Sequence, residues 1–204
     1  MSNLVIAEHD QNTLKSSTLS AVTAALAIGG DVDILVCGKG ADDVAKSAAL
    51  VCGVSKVIHV DNEIYEHQLA ESVAPLVSEI GKTYSGVLTP ATTTGKNLLP
   101  RVAALLDVSQ ISDIVNVKSN NVFQRPIYAG NAIATVESSD SIKVITVRAT
   151  AFSEAEVGEI PAPIENVSLV FAQELSQFIG ERLSQSERPE LTSAGIIISG
   201  GRGM

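Results

Sequence analysis

At 204 residues the chain has room for one large domain, or for one domain and a fragment of another. A hydrophobic content of 45% against 18% charged residues excludes wholesale disorder, and a net charge of −9 argues against nucleic acid as the main partner, because no basic patch is available to neutralise phosphates. Aromatic residues make up only 3%, with no Trp, so the core must be built from Val, Ile, Leu and Ala, as in sheets covered by helices on both faces.

In chain order, Leu4 to Ala7 reads as a first strand, and Thr18 to Ile28 carries Leu19, Val22, Ala25 and Leu26 at helical spacing until Gly29-Gly30 stops it. Val32 to Val36 is a second strand, and Ala41 to Val51 an Ala-rich helix ended by Gly53. Lys56 to Val60 is a third strand, Ile64 to Ile80 a longer amphipathic helix, Gly86 to Leu88 the core of a fourth strand, and Leu98 to Leu106 the next helix. Strands alternating with helices predict a parallel sheet with right-handed crossovers.

The rhythm changes after Asp107. Ile111 to Val117, Val122 to Ile127, Ala132 to Glu137 and Ile142 to Val147 are strand-like, with polar turns at Ser119-Asn120-Asn121 and Ser138-Ser139-Asp140. They predict hairpins that add antiparallel strands to the sheet or its edge. The fold class is therefore α/β: a three-layer sandwich, mainly parallel, with added antiparallel hairpin strands. Ser153 to Glu165, acidic and containing Pro161 and Pro163, reads as an extended arm or linker. Val167 to Leu183 is apolar and reads as part strand, part helix. Ile196 to Ile198 looks like a short buried parallel strand leading into Ser199-Gly200-Gly201-Arg202-Gly203.

Candidate sites lie beyond the carboxyl ends of the strands, where ligands sit in open α/β sheets. They are Glu8-His9, Gly38-Lys39-Gly40, Asp61-Asn62 and Thr89 to Asn97. Gly38-Lys39-Gly40 lacks the spacing of a dinucleotide fingerprint or a P-loop, and an ordinary strand-to-helix turn is the stronger reading. Thr92-Thr93-Thr94-Gly95-Lys96-Asn97 is either an N-cap or an anion site, with the cap favoured. His9, His59 and His67 lie far apart in sequence, which gives a metal site little support, and no Gly-x-Ser-x-Gly elbow points to a serine nucleophile. No residue is assigned a catalytic role. Cys37 and Cys52 form no Cys-x-x-Cys and are expected to be buried free thiols. Arg125 and Arg148 need partners, with Glu8, Asp107 and Asp113 as intramolecular options and a subunit interface as the other. No basic-then-apolar leader or membrane-length run is evident, which suggests a chain that is not membrane-inserted.

The glycine-flanked cation near the carboxyl end brings a family to mind. Glycines let backbone N–H groups approach a phosphate, and a guanidinium clamps a diphosphate or sits over a flat ring. Arg188-Pro189-Glu190-Leu191-Thr192 followed by Ser199-Gly200-Gly201-Arg202-Gly203 resembles the entry to the flavin-binding domain of the electron transfer flavoprotein alpha subunits. Val5-Ile6-Ala7-Glu8-His9, Pro90-Ala91-Thr92-Thr93, Arg125 to Ala132 and Val147 to Phe152 agree with it in the same order.

The resemblance implies a non-enzymatic electron carrier, in heterodimer with a beta subunit and holding one FAD. It implies transfer from acyl-CoA dehydrogenases, as in fatty acid beta-oxidation, to a membrane quinone oxidoreductase. It implies residues 1–187 as the first alpha domain and 188–204 as the first strand and turn of a truncated FAD-binding domain. Arg202 would contact the flavin, with Ser199, Gly200, Gly201 and Gly203 shaping its loop; fixed positive charge there would favour the reduced flavin. Because the family's other flavin contacts lie further on, this chain alone is expected to bind FAD weakly or not at all. A bacterial-type cytoplasmic location is implied, with the mitochondrial matrix as the alternative. Two other readings remain: a stand-alone adenine-nucleotide-binding α/β module carried by Glu8-His9 and Thr92 to Asn97, and a ligand-free interaction domain.

Overall fold

The computed structural model describes residues 1–182, Leu191, Ala194 and residues 196–203. Its centre is a seven-stranded sheet built from β1 (Ser2–Ile6), β2 (Asp31–Gly38), β3 (Val54–Asp61), β4 (Gly86–Pro90), β5 (Gln110–Ile114), β9 (Lys143–Val147) and β10 (Ile164–Asn166). The strand order is β10-β3-β2-β1-β4-β9-β5, and every pairing is parallel. A separate three-stranded antiparallel sheet contains β6 (Asn116–Val117), β7 (Val122–Ile127) and β8 (Ala132–Glu137).

The chain winds outward from β1 to β3, then returns to β4 on the other side of β1. Right-handed crossovers therefore place α1 (Ser16–Ile28) and α2 (Asp42–Ala49) on one face, and α3 (Ala70–Gly81) and α4 (Thr93–Leu106) on the other. Strand alternation feeds both layers. Val5, Ile34 and Val36 join Val22, Ala25, Val44 and Ala45 in one core, whereas Leu4, Ile6 and Leu35 join Leu76, Val77, Leu99 and Val102 in the other. Each fully buried Leu, Ile or Val in these layers contributes about 1.5–3 kcal/mol relative to exposure.

The expected hairpins are only partly present. β6 and β7 form one around the Ser119–Asn121 turn and β7 and β8 another, in their own small sheet, but β5 and β9 both enter the main sheet as parallel strands, with β9 seated between β4 and β5. The β6–β8 excursion takes the place of a crossover helix. It drives Phe123 into the core on the α1 side, so the third layer over β5 and β9 is sheet rather than helix.

The long helix expected from Ile64 to Ile80 is interrupted. A 3-10 turn at Glu63–Tyr65, capped by Asn62, is followed by Gln68 with φ 50°, and α3 starts only at Ala70. α4 begins earlier than its apolar pattern suggests, because Thr92 caps it by accepting from the Gly95 amide at 3.2 Å.

The Ser153–Glu165 arm is a strap. Glu156 O accepts from Cys52 N at 2.8 Å, and Gly158 N and Ala162 N donate to Leu50 O and Ala49 O. β10 then adds to β3, tied by Lys56–Glu165 at 2.9 Å and by the His59 Nδ1–Asn166 Oδ1 contact at 3.1 Å. From Val167 to Arg182 there is neither strand nor helix, contrary to the sequence reading. Spaced polar contacts hold this stretch instead: Tyr65 Oη donates to Leu169 O, Gln173 Nε2 to Ser72 Oγ, and Ser176 Oγ to Glu71. Phe178 stacks on His67 with ring centroids 3.7 Å apart.

Candidate functional site

The carboxyl edge of the sheet is closed by its own side chains. The Glu8 amide donates to Thr18 Oγ1 at 2.9 Å, and the Glu8 carboxylate accepts from Ser17 Oγ at 2.9 Å. His9 Nδ1 accepts from the Gln11 amide, so the ring hydrogen sits on Nε2 and donates to Cys37 O at 3.1 Å. Burial lowers the His9 pKa from its usual value, against the raising influence of that carbonyl. An imidazole committed at both nitrogens is an orienting group rather than a proton shuttle.

Gly38-Lys39-Gly40 is likewise committed. Lys39 N donates to Gln11 Oε1 at 3.2 Å, Gly40 N donates to Asp61 Oδ1 at 2.8 Å, and Asn62 N donates to Gly38 O at 2.8 Å. The amides a phosphate would need already face an amide oxygen and a carboxylate, so the turn is structural. Gln11 and Gln68, which sequence reasoning missed, fasten this edge. Gln11 Nε2 donates to Glu66 O at 2.7 Å and Gln68 Nε2 to Cys37 O at 2.5 Å. Neither has a distinguishing spacing; only their left-handed φ values of 72° and 50° mark them.

A cleft opens at this edge. Its volume is about 300 Å³, and His67, Gln68, Val73, Thr93, Thr94 and Asn97 are among the residues that line it. Gly95 is required here, since a Cβ would overlap the Pro90 carbonyl oxygen. The expected cap role of Thr92 is thus observed.

The two arginines are held within the chain. Arg125 Nε donates to Ser112 O at 2.8 Å, and Arg148 forms a two-pronged ion pair with Asp113. Ser112 and Asp113 lie at a register shift between β5 and β9, where Asp113 has φ 60°. Of the three carboxylates considered, Asp113 alone is used, by Arg148.

Among the described residues no group of three His, Cys, Asp or Glu is placed to hold a metal ion, and no helix is long and apolar enough to cross a membrane. Cys37 is buried, and burial pushes its thiol up to about 12. Cys52, expected to be buried, is exposed: it stands in the turn after α2, where the strap passes with Gly158 beside its sulfur.

Ser199, Gly200, Gly201, Arg202 and Gly203 are all exposed. Ile196, Ile197 and Ile198 are exposed and are not in a strand, since among the described residues no strand pairs with their backbone. The donor chemistry of an arginine among glycines suits a diphosphate or a flavin, but nothing lies within 4 Å of a Cβ built on Gly201 or Gly203. The described residues alone make no enclosing cradle for a dinucleotide. Most of Arg188 to Thr192, together with Gly195, Met204 and the expected boundary after residue 187, falls outside the described residues.

The family model described as "Electron transfer flavoprotein domain" matches residues 3–172. The chain is 58% identical over 204 residues to "Electron transfer flavoprotein subunit alpha" of Pseudomonas aeruginosa, covering 100% of this chain and 66% of that relative. It is 50% identical to the protein of the same name in Bradyrhizobium diazoefficiens, covering 100% of this chain and 65% of that relative. It is 46% identical over 217 residues to "Electron transfer flavoprotein subunit alpha, mitochondrial" of Dictyostelium discoideum, covering 98% of this chain and 61% of that relative. The chain thus spans somewhat less than two thirds of the length of these curated relatives. A three-layer, parallel α/β body with strand ends fastened by Gln11, Gln68 and Asp61 carries this match over most of its length, and the chain belongs to the electron transfer flavoprotein family.

Proposed function

We propose that residues 1–187 form the docking body of an electron transfer flavoprotein alpha subunit, a carrier and not an enzyme. On this reading it pairs with a beta subunit, receives electrons from acyl-CoA-type dehydrogenases and delivers them to a membrane-associated quinone oxidoreductase. The observation that carries it is the match over residues 3–172, joined to 58% identity with a named alpha subunit over the whole chain, tail included. The committed strand-end amides support it, because such an edge offers a substrate little beyond the cleft beside α4.

When bound, FAD supplies the electron-carrying chemistry. This chain's own contribution would be Arg202, which would supply fixed positive charge to the flavin, with Ser199, Gly200, Gly201 and Gly203 sparing it backbone bulk. The body itself fixes the geometry of the complex. One exposed arginine and a glycine turn do not bury a dinucleotide, so the flavin is held mainly by residues outside this sequence. The setting is cytoplasmic, as in bacteria, with the mitochondrial matrix as the alternative.

The test is the visible absorption spectrum of the purified chain, with and without its beta subunit, together with an FAD titration. The expected result is stable association with beta and no submicromolar FAD binding by the chain alone. Tight binding of FAD by the lone chain, or failure to associate with beta, overturns the reading. The adenine-nucleotide alternative keeps only the cleft at Thr93, Thr94 and Asn97; protection of those residues from hydrogen exchange by AMP would favour it.

A further inference from the structure

We propose that the tip of the β7–β8 hairpin, centred on Tyr128, is a contact through which this chain docks its beta subunit; the proposal rests on the pairing put forward above. Tyr65 and Tyr84 are buried with their hydroxyls hydrogen-bonded, whereas Tyr128 is 79% exposed. Its backbone is held in an unfavourable shape. Tyr128, Ala129 and Gly130 have φ values of 51°, 54° and 90°, three left-handed residues in succession, of which only the last is glycine. Asn131 locks this knuckle by donating to Tyr128 O from its amide at 3.1 Å and from its side chain at 3.0 Å. None of this strain places the ring against the chain's own core. It fixes a large ring in solvent.

The surroundings have the anatomy of an interface centre. Pro126 stands directly opposite Ile133, which is 54% exposed, and opposed residues share a face. Next along the same face, Gln124 is opposed to both Thr135 and Asn116, and the three side chains are hydrogen-bonded to one another. The Pro126–Ile133 pair, with the exposed ring of Tyr128 at the hairpin tip next to it in sequence, is thus bordered by an uncharged polar row, and a rigid aromatic so placed can anchor a partner. The opposite face is already occupied, with Phe123 in the core and Arg125 on Ser112 O.

Charge selects the occupant. A second copy would bring another net −9 against this one, and an anionic lipid surface or a nucleic acid would be repelled in the same way. An uncharged patch on a strongly acidic chain suits a different protein, and relatives named as alpha subunits imply one. The Ser119–Asn121 turn lies by Met1 at the amino edge of the sheet, so the knuckle at the far end of β7 stands at the carboxyl edge.

The experiment measures binding of the chain to its purified beta subunit by calorimetry, with thermal melts of each variant alone. Tyr128→Ala and Ile133→Ser are expected to weaken binding by about tenfold or more without moving the melt. Tyr128→Phe should bind nearly as the parent does, and Ile160→Ser, at a 90% exposed position on the strap, should change neither measurement. Unaltered affinity in Tyr128→Ala and Ile133→Ser, with the parent binding normally, overturns the docking proposal and leaves the proposed function standing. A parent chain that does not bind beta overturns both. Self-association abolished by Tyr128→Ala would assign the knuckle to a second copy and overturn the choice of occupant.

Discussion

The Tyr84 hydroxyl donates to Asp33 Oδ2 at 2.5 Å, joining the start of β4 to the middle of the sheet with both side chains buried. Burial, then the hydrogen bond to Asp33, raise the tyrosine pKa well above its ordinary value, so the phenol stays protonated and keeps donating. The Lys56 ammonium also lies near the Asp33 carboxylate, at 4.0 Å. Tyr84→Phe should leave a buried carboxylate short of its donor and cost about 1–3 kcal/mol in urea unfolding.

His9 gives a pH signature with a defined sign. Its folded-state pKa is lowered from 6.5, so the unfolded chain takes up this proton first as pH falls. The stability contribution is fully present above 6.5 and is lost as pH drops from there towards the folded value. Asp10 is held well below the usual carboxylate range, chiefly by the Thr13 hydroxyl, and its contribution is lost only below 3.8, so the two windows are separate. Unfolding free energies between about pH 7.5 and 5.5 should fall more in the parent than in His9→Gln.

Gly95→Ala should destabilise by about 1–3 kcal/mol or more, since the added methyl overlaps the Pro90 carbonyl oxygen and pushes the start of α4 off the end of β4. Thermal melts will read this, and hydrogen exchange should locate the loss at 91–97.

Asn166→Ala removes the partner of His59 Nδ1, in a ring whose Nε2 is buried without a partner. The expected cost is about 1–3 kcal/mol, concentrated in the strap. Amide exchange should accelerate across 162–178 while β1 and β2 remain protected.

Arg202→Ala should leave the melt of this chain within about 0.5 kcal/mol, because the side chain is exposed. In the assembled flavoprotein the same change should lower the flavin reduction potential, as read by redox titration. An unchanged potential would remove Arg202 from the flavin's surroundings.

The order of strands and helices up to Leu106 was legible because most apolar runs stop at glycines such as Gly29, Gly53 and Gly81; the break at Gln68 before α3 was not, because its left-handed turn is carried by a non-glycine residue. The parallel pairing of β5 and β9 was not legible, because the β6–β8 excursion between them has the local pattern of hairpins and does the work of a crossover, with Phe123 in the core. Tyr65 and Ser72 hold the stretch after β10, about a hundred residues away, and no local pattern records such contacts. At the candidate site, the Thr92 cap was readable from its hydroxyl and the glycine after it. The closure of Gly38-Lys39-Gly40 was not, because it depends on Gln11 reaching across from another strand end. The Arg202 turn was noticed as a family pattern rather than through packing.

The seat of β9 between β4 and β5 has a bearing on biosynthesis. While the chain emerges from the ribosome, residues 110–114 are made well before residues 143–147, the one described strand with which they pair in the sheet. Until those follow, the right-hand half of the sheet has an open slot and an orphan edge, and the nascent polypeptide must be shielded there from its neighbours.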